Sequence, residues 1–586
     1  MCGITGIMTA SGAPPDRTAI EAMQNALIHR GPDGAGVHFS DSVGMAQRRL
    51  AIIDLETGNQ PFTLDDGTAL VANGEIYNYL ELKAAMPDVA FATNSDCELP
   101  LHLYRRDGET YANGLRGMYT IAIHDPNARR LVLSRDPFGI KQLYYTEGPF
   151  GFAFASEPQA LLASGMVHAE VRTEAVAELL QLQFTTGRET LLSGIHRVLP
   201  GETLVVESGR IAHRLRRAAL PEKPPEELDE ETALARLETA LIDSVTVHQR
   251  SDVPYGMFLS GGIDSSALLA LMARLNDRPV RAFTVGFSDT NAVDEREHAR
   301  AIASAVGAEH IEVDFTEEDF WTTVPRVAQA MDDPVADYAE LPTYKLAAVA
   351  GKDLKVILCG EGGDELFGGY GRYRSMIRPW WRYKRAMRSR GALEGLDVLR
   401  TESRDWRRGV AASESVAGIE GRSALQVAQA IDCADWLAHD LLIKLDRCLM
   451  AHGVEGRTPL LDPAVAEAVF CLPDSLKIRG RVGKWILRKW LAEALPEARP
   501  FSRKRGFTVP VGEWLIRKGD MLGPLVARQP GIAEICRPDR VERIFRSGRR
   551  RAGFAAWVLL FYALWHRYHV EGLRGDGDVF DLLSAS

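Results

Sequence analysis

The sequence predicts two domains of different class. Residues 1–212 form an α+β domain built mainly of antiparallel strands, and residues 231–586 form an α/β domain on a parallel sheet with a helical C-terminal part. Three observations predict this. Short strand-like runs broken by Gly, Asn and Asp fill the first two hundred residues. A proline and charge tract interrupts the chain over 213–230. Beyond it, strand and helix patterns alternate, as parallel sheets require. The 586 residues suffice for two full cores.

In the first domain, Met45–Ile53, Ala69–Ala72, Arg130–Ser134 and Gly151–Ala155 read as strands, and Thr18–His29 and Glu98–Arg106 as helices. The linker carries Pro224-Pro225 inside a run of Glu and Asp. After it come a helix (Glu231–Gln249), a strand (Tyr255–Leu259), a glycine loop, a helix (Ser265–Leu275) and a strand (Val280–Val285). Alternation continues through Val356–Leu358, and from Tyr370 the chain reads mainly helical. The apolar stretch Phe554–Trp565 is too short for a membrane span, which takes about 20 residues, and reads as a buried helix.

Composition narrows the function classes. At 46% apolar and 25% charged, the chain is globular rather than disordered. A net charge of −10 argues against nucleic acid as a partner. The cluster Arg372, Arg374, Arg378 and Arg382 with Trp380 and Trp381 is a local exception, read as a solvated or interface helix face. Seven cysteines, an odd number with no C-x-x-C, fit a reducing compartment and not a disulfide framework or zinc site. The start of the chain lacks a signal-peptide pattern, so the expected location is the cytoplasm, with no membrane partner.

Cys2 is the first candidate for chemistry. Once Met1 is removed, one residue carries a thiol and a free α-amine of pKa about 7.7–8.0, nucleophile and base together. Three segments hold unusual polar sets: Arg48-Arg49-Leu50-Ala51-Ile52-Ile53-Asp54, Asn73-Gly74-Glu75-Ile76-Tyr77-Asn78 and Asn94-Ser95-Asp96-Cys97-Glu98. Singly, Arg49 reads as a surface salt bridge, Asn73-Gly74 as a turn and Asp96 as a helix cap. Together they supply what amide hydrolysis by a thiol needs. An arginine fork holds a carboxylate, acids hold an ammonium, and Asn and Gly N–H groups hold an oxyanion.

The second candidate is Leu259-Ser260-Gly261-Gly262-Ile263-Asp264-Ser265-Ser266, between a strand and a helix. Its backbone N–H groups and the helix N-terminus make an anion site, where the plainer reading is a tight turn. It lacks the G-x-x-x-x-G-K-[ST] pattern of the common phosphate loop. A second loop, Cys359-Gly360-Glu361-Gly362-Gly363-Asp364-Glu365, follows Val356–Leu358. Asp264 and Asp364 are the natural carboxylate pair for Mg²⁺, which uses one or two carboxylates plus phosphate oxygens. Lys484 could neutralise a breaking triphosphate.

These residues carry a resemblance. Cys2-Gly3-Ile4, His29-Arg30-Gly31-Pro32-Asp33, Arg49-Leu50, Asn73 to Asn78, Ser95-Asp96, Ser134 to Lys141 and Ala155-Ser156-Glu157 resemble the N-terminal-nucleophile glutaminase domain of class II glutamine amidotransferases. The resemblance implies a four-layer αββα fold. It implies Cys2 as nucleophile with its own amine as base, and Asn73 and Gly74 as oxyanion hole. Arg49, Leu50, Ala51, Ile52 and Ile53 would bind glutamine, with Arg49 on its carboxylate and Asp96 and Glu75 on its ammonium.

The Ser260–Ser266 loop resembles the pyrophosphate loop of ATP pyrophosphatases. With Lys444 to Arg447 and Gly453 to Asp462, it resembles the synthetase domain of glutamine-hydrolysing asparagine synthetases. The resemblance implies ATP on Leu259, Ser260, Gly261, Gly262, Asp264, Ser265, Ser266, Val285, Cys359 and Gly360, and Mg²⁺ on Asp264 and Asp364. Glu361 would serve the aspartyl-adenylate and ammonia step, and Lys484 the phosphates. The implied reaction uses glutamine, aspartate and ATP to make asparagine, and the sequence leaves the oligomeric state open, with a homodimer as one candidate. Cys359 stands where the family usually has serine, a change that a backbone contact survives, and Glu455-Gly456-Arg457-Thr458 is less bulky than the family often is there. The segment Met331 to Thr343 keeps the Pro-Thr element but departs from the pattern around Tyr338–Glu340. The acceptor is therefore aspartate or a different carboxylate, on a cell-surface sugar or a secondary metabolite.

Overall fold

The computed structural model describes residues 2–288, 290, 294–378, 386–401, 405–502 and 509–585. Two six-stranded sheets form the first domain, and every pairing within them is antiparallel. One sheet runs His196–Arg197, Tyr144–Gly148, Gly151–Ala155, Gly3–Thr9, Val43–Arg49, Gly34–Phe39. The other runs Arg210–Arg216, Glu202–Glu207, Arg130–Arg135, Gly117–Asp125, Ala69–Ile76, Phe62–Thr63.

Strand alternation builds the layers, because successive side chains point to opposite faces. Ile4, Met8, Val43 and Met45 of one sheet meet Val71, Ala122, Leu131 and Leu133 of the other in a shared core. The outer face of the first sheet, with Ile7 and Ala46, takes Ile20 and Met23 of the helix Arg17–Ala26. The outer face of the second, with Ala72, Ile121 and Val132, takes Leu99 and Leu103 of the helix Leu99–Asp107. The result is the αββα sandwich.

Five parallel strands form the second domain, in the spatial order Glu309–Asp314, Arg281–Gly286, Tyr255–Phe258, Val356–Leu358, Glu455–Arg457. The chain starts at Tyr255–Phe258, winds outward to one side, then returns to wind outward on the other. The reversal falls between Tyr255–Phe258 and Val356–Leu358. In open α/β sheets, ligands bind beyond the carboxyl ends of the strands at such a switch point. The loops after these two strands are Leu259–Ser266 and Cys359–Asp364.

The break between domains is shorter than expected. The strand Arg210–Arg216 runs past residue 212, and the next helix, Glu230–His248, is capped by Asp229, whose carboxylate accepts from Thr232 N. The apolar stretch near the C-terminus lies in the buried helix Arg550–His569. Its Trp557 indole donates to Ala336 O at 2.8 Å. Among the described residues, no helix is long and apolar enough to cross a membrane.

The arginine cluster divides between the two alternatives of its sequence reading. Arg374 and Arg378 are exposed, whereas Arg372 binds Asp432 at 2.8 Å and lies 3.7 Å from the centroid of the Tyr370 ring. Trp380, Trp381 and Arg382 lie outside the described residues.

Candidate active sites

Cys2 leads into the strand Gly3–Thr9 and is buried at 8% exposure. Its backbone nitrogen donates to Asn73 Oδ1 at 3.0 Å. That bond fixes the amide, and Asn73 Nδ2 is left buried with no partner. An unpaired buried donor is costly, so it marks a place where an acceptor is expected. Burial pushes the Cys2 thiol up, while a bond from the Leu50 backbone and the charge of Arg49 oppose that rise.

Asn73 and Gly74 do not form a turn. Both lie inside the strand Ala69–Ile76, in register with Thr120 and Tyr119 of Gly117–Asp125. Gly74 has φ +156°, and a Cβ there would meet the Met118 carbonyl at 2.1 Å, so only glycine fits. Nor is Asp96 the helix cap: Ser95 Oγ takes that role, accepting from Cys97 N. Asp96 is instead buried, its Oδ2 accepting from Ile76 N at 2.7 Å, and burial pushes its carboxyl up.

Arg49 is no surface residue either, at 6% exposure. Its guanidinium donates to Asn59 Oδ1 at 2.8 Å and to the carbonyls of Ile53 and Asp54. The side chain thereby curls Leu50–Ile53 out of the sheet, and the strand expected to reach Ile53 ends at Arg49. Of its five N–H donors, three point into this loop, leaving Nε and one Nη1 hydrogen for a ligand.

The second site is a cavity of about 590 Å³ at the switch point. Leu259 to Ser265, Val285, Cys359 to Gly362, Asp364, Lys444 and Lys484 line it. Gly261 takes φ +68°, letting the loop turn into the helix Ile263–Leu275, whose N-terminus borders the cavity. Ser266 is the exception among the expected ligands: it is fully buried and does not line the cavity, because it sits a turn inside the helix with its N–H on Gly262 O.

Lys484 Nζ sits between Asp264 Oδ2, at 2.5 Å, and Asp364 Oδ1, at 2.8 Å. Burial alone would lower the lysine, and the two carboxylates outweigh it and raise it. Among the described residues, no three His, Cys, Asp or Glu side chains form a metal-binding group. Two carboxylates fit Mg²⁺ only in company with other oxygens, such as those of phosphate. Desolvation pushes the Glu361 carboxyl up, opposed chiefly by Lys444. Lys444 is itself paired with Asp337 at 3.0 Å.

Two family models cover the chain. The model described as a glutamine amidotransferase domain matches residues 1–216, and the one described as asparagine synthase matches 236–567. The chain belongs to the asparagine synthase family. It is similar to asparagine synthetase [glutamine-hydrolyzing] 1 of Bacillus subtilis, 32% identical over 97% of each chain. A putative asparagine synthetase of Mycobacterium bovis is 33% identical over 97% of this chain and 98% of its own. Amidase chry2 of Gibberella zeae is 28% identical over 82% and 84%. As an asparagine synthase family member, the protein is a glutamine-dependent amidotransferase of the asparagine synthetase type.

In this family member several motifs that resembled relatives without an obvious task meet at the junction of the two domains. Arg30 and Glu157 of the first domain bind Asp446 and Arg447 of the second, and Arg447 also binds Asp332 at 2.8 Å. Arg197 binds Asp333 at 2.6 Å. Glu75, expected on the substrate ammonium, pairs with Arg457 at 3.2 Å, and Arg457 pairs with Glu455 at 2.6 Å. Arg457 and Glu455 thus help build the wall of the Cys2 site, a role sequence reading missed. The signal in the sequence was an acid and an arginine two positions apart, Glu455-Gly456-Arg457, which the structure places in a fully buried strand.

Proposed function

We propose that the chain hydrolyses glutamine at Cys2 and uses the ammonia to amidate a carboxylate activated by ATP, in the reading its family favours converting aspartate to asparagine. With Met1 removed, the Cys2 nitrogen takes the thiol proton and Sγ attacks the glutamine amide carbon. Asn73 Nδ2 and Gly74 N–H receive the developing oxyanion. Ammonia leaves as the thioester forms, and water releases glutamate. At the other cavity the acceptor carboxylate attacks the α-phosphate of ATP, pyrophosphate leaves, and ammonia then displaces AMP. Mg²⁺, held by Asp264 and Asp364, would neutralise phosphate charge. Lys484 presents its ammonium to the same phosphates, and Glu361 accepts a proton from the attacking ammonia.

One observation carries this reading. Arg457 belongs to both sites: its guanidinium meets Glu75 beside Cys2, and its carbonyl accepts from Cys359 N in the wall of the nucleotide cavity at 2.8 Å. Two unrelated activities on one chain would have no need of such a shared residue.

The test is incubation with ATP, Mg²⁺, glutamine and aspartate, read by mass spectrometry for AMP and asparagine, beside Cys2→Ala. The variant should lose glutamine-dependent product and keep product from added ammonium. Equal loss from both nitrogen sources would overturn the two-site reading. Aspartate-independent AMP, or none, would overturn aspartate as acceptor. A different carboxylate is the second reading. It is favoured by the amidase relative and by Tyr338, where the nucleotide cavity adjoins another.

A further inference from the structure

That other cavity is about 1260 Å³ and belongs to neither site. Gln181 to Gln183 of the first domain wall one side, and the start of the helix Arg550–His569 walls another. Tyr338 lines both cavities. Arg372, in the wall of the larger, lies over Tyr370, in the wall of the smaller. The two spaces are therefore neighbours.

The larger one is electropositive. Arg372 and Arg388 share a single carboxylate, Asp432, at 2.8 and 3.9 Å. Among the described residues, Arg551 donates to the Gly391 and Glu394 carbonyls and to no carboxylate. Arg378, Arg390, Arg549 and Arg550 also line it, with no ion pair among the described residues. Among the described residues of the lining, Glu513 is the one carboxylate, and it is paired with Arg517 at 2.5 Å. The N-terminus of the 20-residue helix starting at Arg550 adds partial positive charge. A concave surface carrying one sign of charge concentrates ligands of the other sign, and cavities at domain junctions are common ligand sites.

We propose that this cavity receives the anionic remainder of the acceptor, whose reacting carboxylate enters the nucleotide cavity past Tyr338. The acceptor is then a polyanion longer than a free amino acid. This rests on the second reading above, in which a carboxylate other than aspartate is adenylated in the smaller cavity. The anionic groups are carboxylates or phosphates, since an arginine fork holds either.

The full chain is assayed for AMP with ATP, Mg²⁺ and ammonium, offering aspartate, trigalacturonate (carboxylates only) or UDP-glucuronate (phosphates and one carboxylate). One of the two polyanions should exceed aspartate in kcat/KM, and which one names the anion. In Arg549→Ala/Arg550→Ala the ratio of polyanion to aspartate kcat/KM should fall about tenfold or more. Arg549→Lys/Arg550→Lys should recover part of it. Retained glutaminase activity reports that each variant is folded. Aspartate outpacing both polyanions, or a ratio unmoved by the alanine variant, would overturn the proposal. Calorimetry of trigalacturonate and UDP-glucuronate without ATP separates the two layers. Arginine-dependent binding without AMP formation would sink adenylation and uphold the anion site. AMP from aspartate with no binding of either polyanion would do the reverse.

Discussion

Arg30 and Asp446 stand 416 positions apart and meet in two hydrogen bonds, of 2.7 and 3.0 Å, with both side chains buried. Arg30 holds the Asp446 carboxyl below its ordinary value despite the opposing effect of burial. Removing one partner of a buried pair typically costs about 3–5 kcal/mol. Asp446→Ala should lower the denaturant midpoint accordingly and raise the glutamate formed per AMP formed, because the domains lose registry. Arg30→Ala/Asp446→Ala should be less destabilised than the single losses added together. Additive losses with unchanged stoichiometry would show that the pair does not hold the domains in register.

Asn73→Ala removes the unpartnered Nδ2 beside Cys2. Losing one oxyanion donor costs about 10²–10³ in kcat in other enzymes. Glutaminase kcat should fall by that order while KM changes little and ammonium-dependent turnover persists. A KM effect alone would assign Asn73 to ground-state binding.

Lys484→Met leaves Asp264 and Asp364 without the ammonium that lies between them. Pyrophosphate release should drop by about 10²-fold or more, the order seen when a transition-state charge loses its counter-charge. Glutaminase activity should survive. Intact pyrophosphate release would remove Lys484 from the phosphate chemistry.

Lys477 is fully buried, bonding Gln429 Oε1 at 3.0 Å and Phe470 O at 2.6 Å, and burial pulls its pKa down to about 8. In an unfolded chain a lysine titrates near 10.4. Between about pH 8 and 10.4 the unfolded chain holds a proton the folded chain has released, so stability rises with pH across that window. Measured by urea unfolding against Lys477→Met, which lacks the titration, the gain should be on the order of 3 kcal/mol. A constant difference between the two proteins would show an ordinary lysine.

Periodicity made the scaffold legible. Val356–Leu358 and Gly151–Ala155 form over the expected residues, and glycines at Gly261 and Gly262 announced the turn that opens the nucleotide cavity. Local rules failed where a distant contact overrode them. Asn73-Gly74 has turn chemistry, yet pairing with Thr120 and Tyr119 holds it extended. The strand through Arg49 stops early because its own side chain ties the next loop. Ser266 continues the motif in sequence, but a helix turns it away from the ligand side. The charge pairs across the junction leave no local trace, since no spacing rule reaches from Arg30 to Asp446.

The shared position of Arg457 bears on how such chains could be recombined. An N-terminal half grafted onto an unrelated partner would keep Cys2 and Asn73 but leave Glu75 without its arginine, and Arg30 without Asp446. The halves are therefore not interchangeable cassettes. A working chimera has to import the far side of the seam, residues 446, 447, 455 and 457, along with the nucleophile, so new acceptors are more readily reached by reshaping the second domain than by exchanging it.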